Sequence, residues 1–325
     1  MSIVFHVGYP KAGSTTLQRS VFPLHTGINY FGISPRKNLS EMASADKTWH
    51  TQDSIQRIPK LIGELNNLLF KTDGLKFDSA RAQDLYSQIV PAQSEQTSLF
   101  SSEAATGVVH SYPDLAEKAR RIRCIFGQIN ILIVIREQSD ILQSNYRDHP
   151  FDPRLPATGR PMNFNKWIET DVTRRWFRVT DSLFYGNVIG IYDALFGREN
   201  VHILPLELWQ TDFALFTRNL AQALGVEHRE LELLARDARV ENAGITGRWN
   251  AYRRIRRLVP MRTLPNAGML GTLKTPVNRW MSTGDKERIR LTEQTRERIR
   301  QLYSEDNRIV SDRIGIDLSR IGYCV

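Results

Sequence analysis

Apolar residues fall along this chain in two rhythms. Ile3, Val4, Phe5 and Val7 form a short, nearly unbroken run, and Ile131 through Ile135 form a stronger one. Runs of this length without alternation read as strands buried on both faces. Ser98–Ser101 and Asn200–Leu204 give two further strand signals. Between them the period becomes helical. Leu17, Val21 and Phe22 share one face, and helical pieces recur around Ile58–Phe70 and Ser79–Val90 within a mostly polar stretch. Pro113–Phe126 is stopped by Gly127, Ser139–Arg147 and Ser182–Phe196 follow, and Phe213–Leu224 is closed by Gly225. Strands alternating with helices predict an α/β fold, a parallel β-sheet with helices on both faces. From about residue 236 the strand signal stops and arginine-rich helical segments take over. The pattern divides into an α/β core over 1–235 and a helical, basic C-terminal section over 236–325, packed together as one continuous domain.

Charge sharpens that division. The 325 residues carry 44 Lys+Arg against 35 Asp+Glu, a net +9. Residues 1–235 hold 25 basic and 25 acidic side chains, and residues 236–325 hold 19 and 10, so 19 − 10 = 9 accounts for the whole excess. Between Arg248 and Arg262 there are six arginines and no acid. A basic section on a neutral body predicts an anionic ligand or partner, against the plainer reading of a solvated helical face. Composition excludes other classes. At 41% hydrophobic, with 14 Phe, 10 Tyr and 6 Trp, the chain can bury a sizeable core. No run approaches the ~20 apolar residues of a membrane span. The opening apolar run is too short for a secretory signal. Cys124 and Cys324, the two cysteines, form neither a disulfide framework nor a zinc site. A cytoplasmic protein is expected, with peripheral contact at the inner membrane face as one use for the basic stretch.

The candidate chemistry begins after the first strand. Gly8 and Gly13 in Gly8-Tyr9-Pro10-Lys11-Ala12-Gly13 have the G-x-x-x-x-G spacing of a phosphate loop, and Ser14, Thr15 and Thr16 open the next helix. Glycines let successive backbone N–H groups turn inward, and the helix start adds its dipole and hydroxyls to an anion. The lysine lies inside the loop, at Lys11, rather than after the second glycine, which weakens an ATPase assignment. The strongest strand ends in Arg136, where a nucleotide triphosphatase places an Asp for Mg²⁺. An arginine there repels a metal and attracts a phosphate. Ser144, eight residues on in a helical stretch, supplies a hydroxyl to the same phosphate. Two anion sites without a metal ligand fit a nucleotide phosphorylated at both ends.

Residues 8–18 resemble the 5′-phosphosulfate loop of sulfotransferases that use 3′-phosphoadenosine 5′-phosphosulfate (PAPS), and Arg136 through Ser144-Asn145-Tyr146 resembles their 3′-phosphate motif. Where that family usually has a proline two residues after the arginine, this chain has Gln138. Val201–Glu207 leading to Leu220–Gly225 is similar to the family's later strand and helix. The ending, Tyr303–Asn307 to Gly322-Tyr323, resembles bacterial carbohydrate sulfotransferases. The resemblance implies a P-loop-like sheet, metal-independent transfer of a sulfuryl group from PAPS to a hydroxyl of a glycan or glycolipid, and release of 3′,5′-bisphosphoadenosine. It implies that Lys11 stabilises the transferring group and that Lys11, Ala12, Gly13, Ser14, Thr15 and Thr16 hold the 5′ end. Arg136 and Ser144 hold the 3′-phosphate.

An acceptor hydroxyl needs a general base, and Glu103, just past the Leu99-Phe100 strand, is the candidate. Cytosolic sulfotransferases have a histidine at a similar place, and several glycan sulfotransferases a carboxylate. His110 and His25 are the fallbacks, while His6 reads as a core residue. Arg120, Arg121 and Arg123 read as a solvated face, Glu207 as structural, and Arg174-Arg175-Trp176 as core packing or a stacking surface. The 248–262 stretch has three readings: a nucleotide clamp, a dock for an anionic glycan or lipid head group, or a membrane-surface helix. The rival activities are a P-loop kinase and a non-catalytic basic module binding an anionic glycan, membrane or nucleic acid. Against nucleic acid, no strand motif interleaves aromatics with the basic residues.

Overall fold

The apolar run at Ile131–Ile135 becomes the centre of a five-stranded, all-parallel sheet. The structure is a computed structural model describing residues 2–32, 52–90, 94–106, 114–148, 163–174, 179–238 and 289–325. The strands are β1 (Ile3–Gly8), β2 (Ile28–Phe31), β3 (Thr97–Ser102), β4 (Asn130–Ile135) and β5 (Val201–Pro205), in the order β2-β3-β1-β4-β5. Four of the five follow the sequence expectation. β2 was not expected; it is only four residues long, and its Asn29 is buried, donating to Ser94 Oγ at 2.7 Å.

The described helices are α1 (Ser14–Ser20), α2 (Gln52–Phe70), α3 (Ser79–Ile89), α4 (Leu115–Phe126), α5 (Gln138–Asp148), α6 (Phe164–Arg174), α7 (Tyr185–Phe196), α8 (Phe213–Leu224), α9 (His228–Asp237) and α10 (Glu293–Ile314), with short helical turns between them. Strand side chains alternate between faces. Phe5, Val7, Phe100, Ile131, Ile133 and Ile135 join one core with α2, α3, α4, α7 and α10. Val4, Leu99, Leu132, Val134 and Leu204 join the other with α1, α8 and α9. Both faces are covered, which is why the strands read as continuous apolar runs rather than alternating ones.

The division drawn at residue 235 falls in the last turn of α9. Ile299, Tyr303 and Val310 of α10, with Tyr323 beyond it, enter the same core as Phe5 and Ile133. Helix α10 is capped by Thr292, whose hydroxyl accepts from Thr295 N at 3.2 Å, and closed by Gly315 at φ +66. The arginines of 248–262, His110, Arg175, Trp176 and the side chain of Arg174 lie outside the described residues.

One surface reading is corrected. Arg121 is buried, not solvated. It lies on the inward stripe of α4 with Lys118, Ile122 and Ile125, and pairs with Glu117 at 3.0 Å. Its Nη1 donates to the carbonyls of Leu68 and Thr72 at 3.0 and 2.7 Å, closing the end of α2. Three arginines in four residues cannot all face water on a helix that packs against three others.

His6 is a core residue, as its place in β1 predicted. Its Nδ1 lies 2.7 Å from the hydroxyl of Ser101, its register partner on β3, and that oxygen accepts from Gln18 Nε2 at 2.8 Å. Burial lowers its pKa to about 3, so the ring is neutral. A group whose folded pKa lies below its unfolded value contributes stability that is full above pH 6.5 and lost as pH falls toward 3. Between pH 7 and 5 this removes about 2 kcal/mol. Glu137, raised to about 7, acts in the opposite sense over the same range, so only a difference isolates His6. The stability gap between wild type and His6→Gln should therefore narrow by about 2 kcal/mol from pH 7 to pH 5 in urea titrations. A gap independent of pH would mean that His6 takes up its proton at the same pH in the folded and unfolded chain.

Candidate active site

The register aligns the carboxyl ends of the inner strands. Val7 pairs with Ser102, Gly8 with Val134, and Ile135 with Pro205. The segments after β1, β3, β4 and β5 therefore emerge along one edge, the edge at which open parallel sheets bind ligands.

The loop after β1 is held in an unusual shape. Lys11 has φ +73, a left-handed conformation costing a side-chain-bearing residue on the order of 1–2 kcal/mol. Gly13, at φ +72, needs its lack of a side chain twice: a Cβ there would sit 2.7 Å from Leu206 Cδ1. Ala12 N and Ser14 Oγ both donate to the Tyr9 carbonyl, at 3.1 and 3.2 Å. Tyr9 anchors the loop from below, its hydroxyl donating to Ser182 O at 3.0 Å and its ring edge-on to Tyr185 at 5.1 Å. Helix α1 starts with Gly13 as N-cap, without a side-chain cap and without an acid in its first turn. At the start of the helix Thr16 N returns to Gly13 O at 3.0 Å.

Arg136 reaches this loop from the end of β4. Its Nη1 donates to the Lys11 carbonyl at 2.9 Å, across 125 residues of sequence, and its Nη2 pairs with Asp140 at 2.9 Å. Ser144, partly buried, stands one helical turn beyond Asp140 on the same face of α5. The two motifs read separately in the sequence are thus joined by a direct hydrogen bond.

Glu103 opens a single helical turn directly after β3, whose Ser102 hydroxyl accepts from Ala104 N at 3.3 Å. It leans over Gly8: a Cβ on Gly8 would lie 2.9 Å from Ser14 Oγ and 3.3 Å from Glu103 Cγ. Gly8 therefore makes the space in which Glu103 and Ser14 meet. Burial raises the Glu103 pKa, and the Lys11 and Arg19 charges oppose that rise. Thr106 donates to the Gly8 carbonyl, and Lys118 Nζ to Ala104 O at 2.9 Å, so the turn is tied on both sides. Burial lowers the Lys118 pKa to about 8.

His25, a fallback base, lies before β2 at the opposite, amino edge of the sheet. Its Nε2 contacts Glu227 O at 3.1 Å and its Nδ1 accepts from Gly27 N at 3.0 Å. Sequence reasoning missed the group behind Arg136. Glu207, following β5, accepts from Glu137 N and from the Tyr323 hydroxyl, each at 2.8 Å. Glu137 caps α5 by accepting from Ser139 N and Asp140 N at 2.8 and 2.7 Å, while burial pushes its pKa up to about 7. Glu207 is likewise raised by burial. Among the described residues no three His, Cys, Asp or Glu side chains converge as a metal site, and no helix is long and apolar enough to cross a membrane.

The five-stranded parallel sheet flanked by helices has the fold of sulfotransferases of known structure. The chain is similar over 99% of its length, and 98% of the other chain's, to a sulfotransferase from Alicyclobacillus acidocaldarius, with a TM-score of 0.54 at 15% identity. A mouse sulfotransferase, SULT7A1, complexed with PAP, aligns over 94% of this chain and 85% of its own, with a TM-score of 0.45 at 12% identity. Neither a protein-family model nor a curated protein matches the sequence.

Proposed function

We propose that this protein is a PAPS-dependent sulfotransferase, transferring a sulfuryl group to a hydroxyl of a carbohydrate or glycolipid. The observation that carries the reading is the 2.9 Å hydrogen bond from Arg136 to the Lys11 carbonyl, which makes one site of the two anion motifs on a sulfotransferase fold. The donor is a substrate with a phosphosulfate at one end and a 3′-phosphate at the other. Backbone N–H groups of Gly13, Ser14 and Thr15, with the Thr16 hydroxyl, receive the 5′-phosphate, and Ala12 completes the loop. Arg136 and Ser144 receive the 3′-phosphate.

In the transfer, the acceptor oxygen forms a bond to sulfur as the bond from sulfur to the 5′-phosphate oxygen breaks in line. Negative charge grows on that leaving oxygen, and the Lys11 ammonium stabilises it. Glu103, beside Lys11 at the same edge, takes the acceptor's proton. The electron pair of the broken bond leaves with 3′,5′-bisphosphoadenosine. No step needs a metal ion in this scheme.

Thermal-shift titration with 3′,5′-bisphosphoadenosine against ATP–Mg²⁺, followed by ³⁵S transfer from labelled PAPS to candidate glycans, tests the proposal. Bisphosphoadenosine should raise Tm without a metal; stabilisation by ATP–Mg²⁺ alone would favour a kinase and end the sulfuryl reading. Within the same assay Glu103→Gln keeps the packing over Gly8 but cannot accept a proton, so turnover should fall by roughly 10²–10⁴ while nucleotide affinity stays. The wild-type rate should fall as pH drops through the Glu103 pKa, which burial raises from its ordinary value. Full turnover in Glu103→Gln removes it as base.

A further inference from the structure

We infer that Tyr323 is a positioning residue for the donor site: through Glu207 it fixes the Arg136–Glu137 peptide, and through Arg136 the backbone of Lys11. The inference rests on the donor reading of Lys11 and Arg136 and extends it to a part of the chain that touches neither.

The geometry converges on one peptide group. Its carbonyl, that of Arg136, accepts from the Tyr185 hydroxyl at 2.6 Å. Its N–H, that of Glu137, donates to Glu207 Oε1 at 2.8 Å. Both ends of the plane from which the Arg136 side chain departs are therefore held. The other oxygen of Glu207 accepts from Tyr323, which is 4% exposed and sits just past the last helical turn, Leu318–Ile321. The C-terminal segment grips the next residue as well. Gln138 exchanges amide hydrogen bonds with Asn307 of α10, Nε2 to Oδ1 at 2.6 Å and Nδ2 to Oε1 at 3.1 Å, and Asn307 Nδ2 also donates to Cys324 O at 2.7 Å.

A path of direct bonds thus runs from Tyr323 to Glu207, to the 136–137 peptide, to the guanidinium, to the carbonyl of a lysine held at φ +73. A strained backbone persists only when its surroundings over-determine it. Buried, fully partnered polar groups hold geometry more tightly than apolar packing does, because each has few alternative partners. The Tyr323 hydroxyl reaches this edge through Glu207, which is not among the residues read to hold the donor, so its contribution is to position the edge.

The test uses the full-length, nucleotide-free protein. Tyr323→Phe keeps the ring and removes only the hydroxyl. Hydrogen–deuterium exchange should accelerate about tenfold at residues 9–13 and 136–138, with β1, β4 and α4 unchanged. The dissociation constant of bisphosphoadenosine should rise by about tenfold and the donor KM with it, while Glu207→Gln, which can accept from Glu137 N–H and donate to the Tyr323 oxygen, should retain most of the affinity. Val310→Ala truncates the core of α10 without touching the path, and controls for general loosening. If Tyr323→Phe leaves residues 9–13 and 136–138 at wild-type exchange, or if Val310→Ala loosens them equally, the inference is overturned. Failure of the wild type to bind bisphosphoadenosine would instead overturn the donor reading, while the exchange measurement decides the positioning role by itself.

Discussion

Lys11→Ala should lower the rate of sulfuryl transfer by about 10²–10³-fold, while bisphosphoadenosine binding falls by no more than a few-fold. The asymmetry follows from what the residue contributes. Its backbone carbonyl is part of the loop and survives the substitution, still receiving Arg136 Nη1. In the proposed transfer its ammonium stabilises the charge that grows on the leaving oxygen, and a single preorganised group of this kind supplies roughly 10²–10³ in kcat. Single-turnover ³⁵S transfer with saturating donor isolates that loss. Retention of a tenth or more of the rate would assign the charge stabilisation elsewhere. Lys11→Arg should not rescue it, because a planar fork on the same left-handed backbone cannot place a compact point charge at the same spot.

Arg136→Ala should weaken donor binding by about 10²-fold and lower kcat as well. Charge-assisted hydrogen bonds to an anion contribute about 1.5–3 kcal/mol, and each 1.4 kcal/mol is tenfold in affinity. The additional loss in kcat is the consequence of the structure, since the same guanidinium holds the Lys11 carbonyl. A residue acting as a phosphate ligand alone would change the dissociation constant of bisphosphoadenosine and leave the saturated rate intact. Arg136→Lys should fall between, keeping charge but unable to reach Lys11 O and Asp140 together. An unchanged donor KM in Arg136→Ala would remove the 3′-phosphate assignment.

Much of the frame was legible because its signals are local. The five-residue run at Ile131–Ile135, the glycine loop after Val7, and the stops at Gly127 and Gly225 each depend on neighbours a few residues away. Strand β2 was not legible: Ile28–Phe31 is too short for a pattern, and its buried Asn29 donates to Ser94, 65 residues away. Helix α9 carried a readable signal that was overlooked, since Glu227 caps it by accepting from Arg229 N and Glu230 N at 2.8 and 2.7 Å. Arg121 defeated a charge-based reading because its guanidinium meets carbonyls 49 and 53 residues away. At the site, the phosphate motifs stood out in sequence through their spacing. The bond between them did not, and neither did the tie from Tyr323 to Glu207, because nothing within either segment encodes a partner more than a hundred residues distant.

The departure at Gln138 also acquires a physical account. A proline there fixes the turn covalently by restricting φ. Here the turn is fixed by a reciprocal amide pair with Asn307, 169 residues further on.

That arrangement bears on when the site comes into being. The bonds that define it close spans of 125, 116 and 169 residues, whereas each helix closes over a few. Long spans lose more chain entropy on closure and slow the step that makes them. On the ribosome, the sheet strands emerge well before Asn307 and Tyr323 have been synthesised. A nascent chain can therefore present every residue of both motifs and still lack the grip that sets them until residues 307 and 323 have emerged.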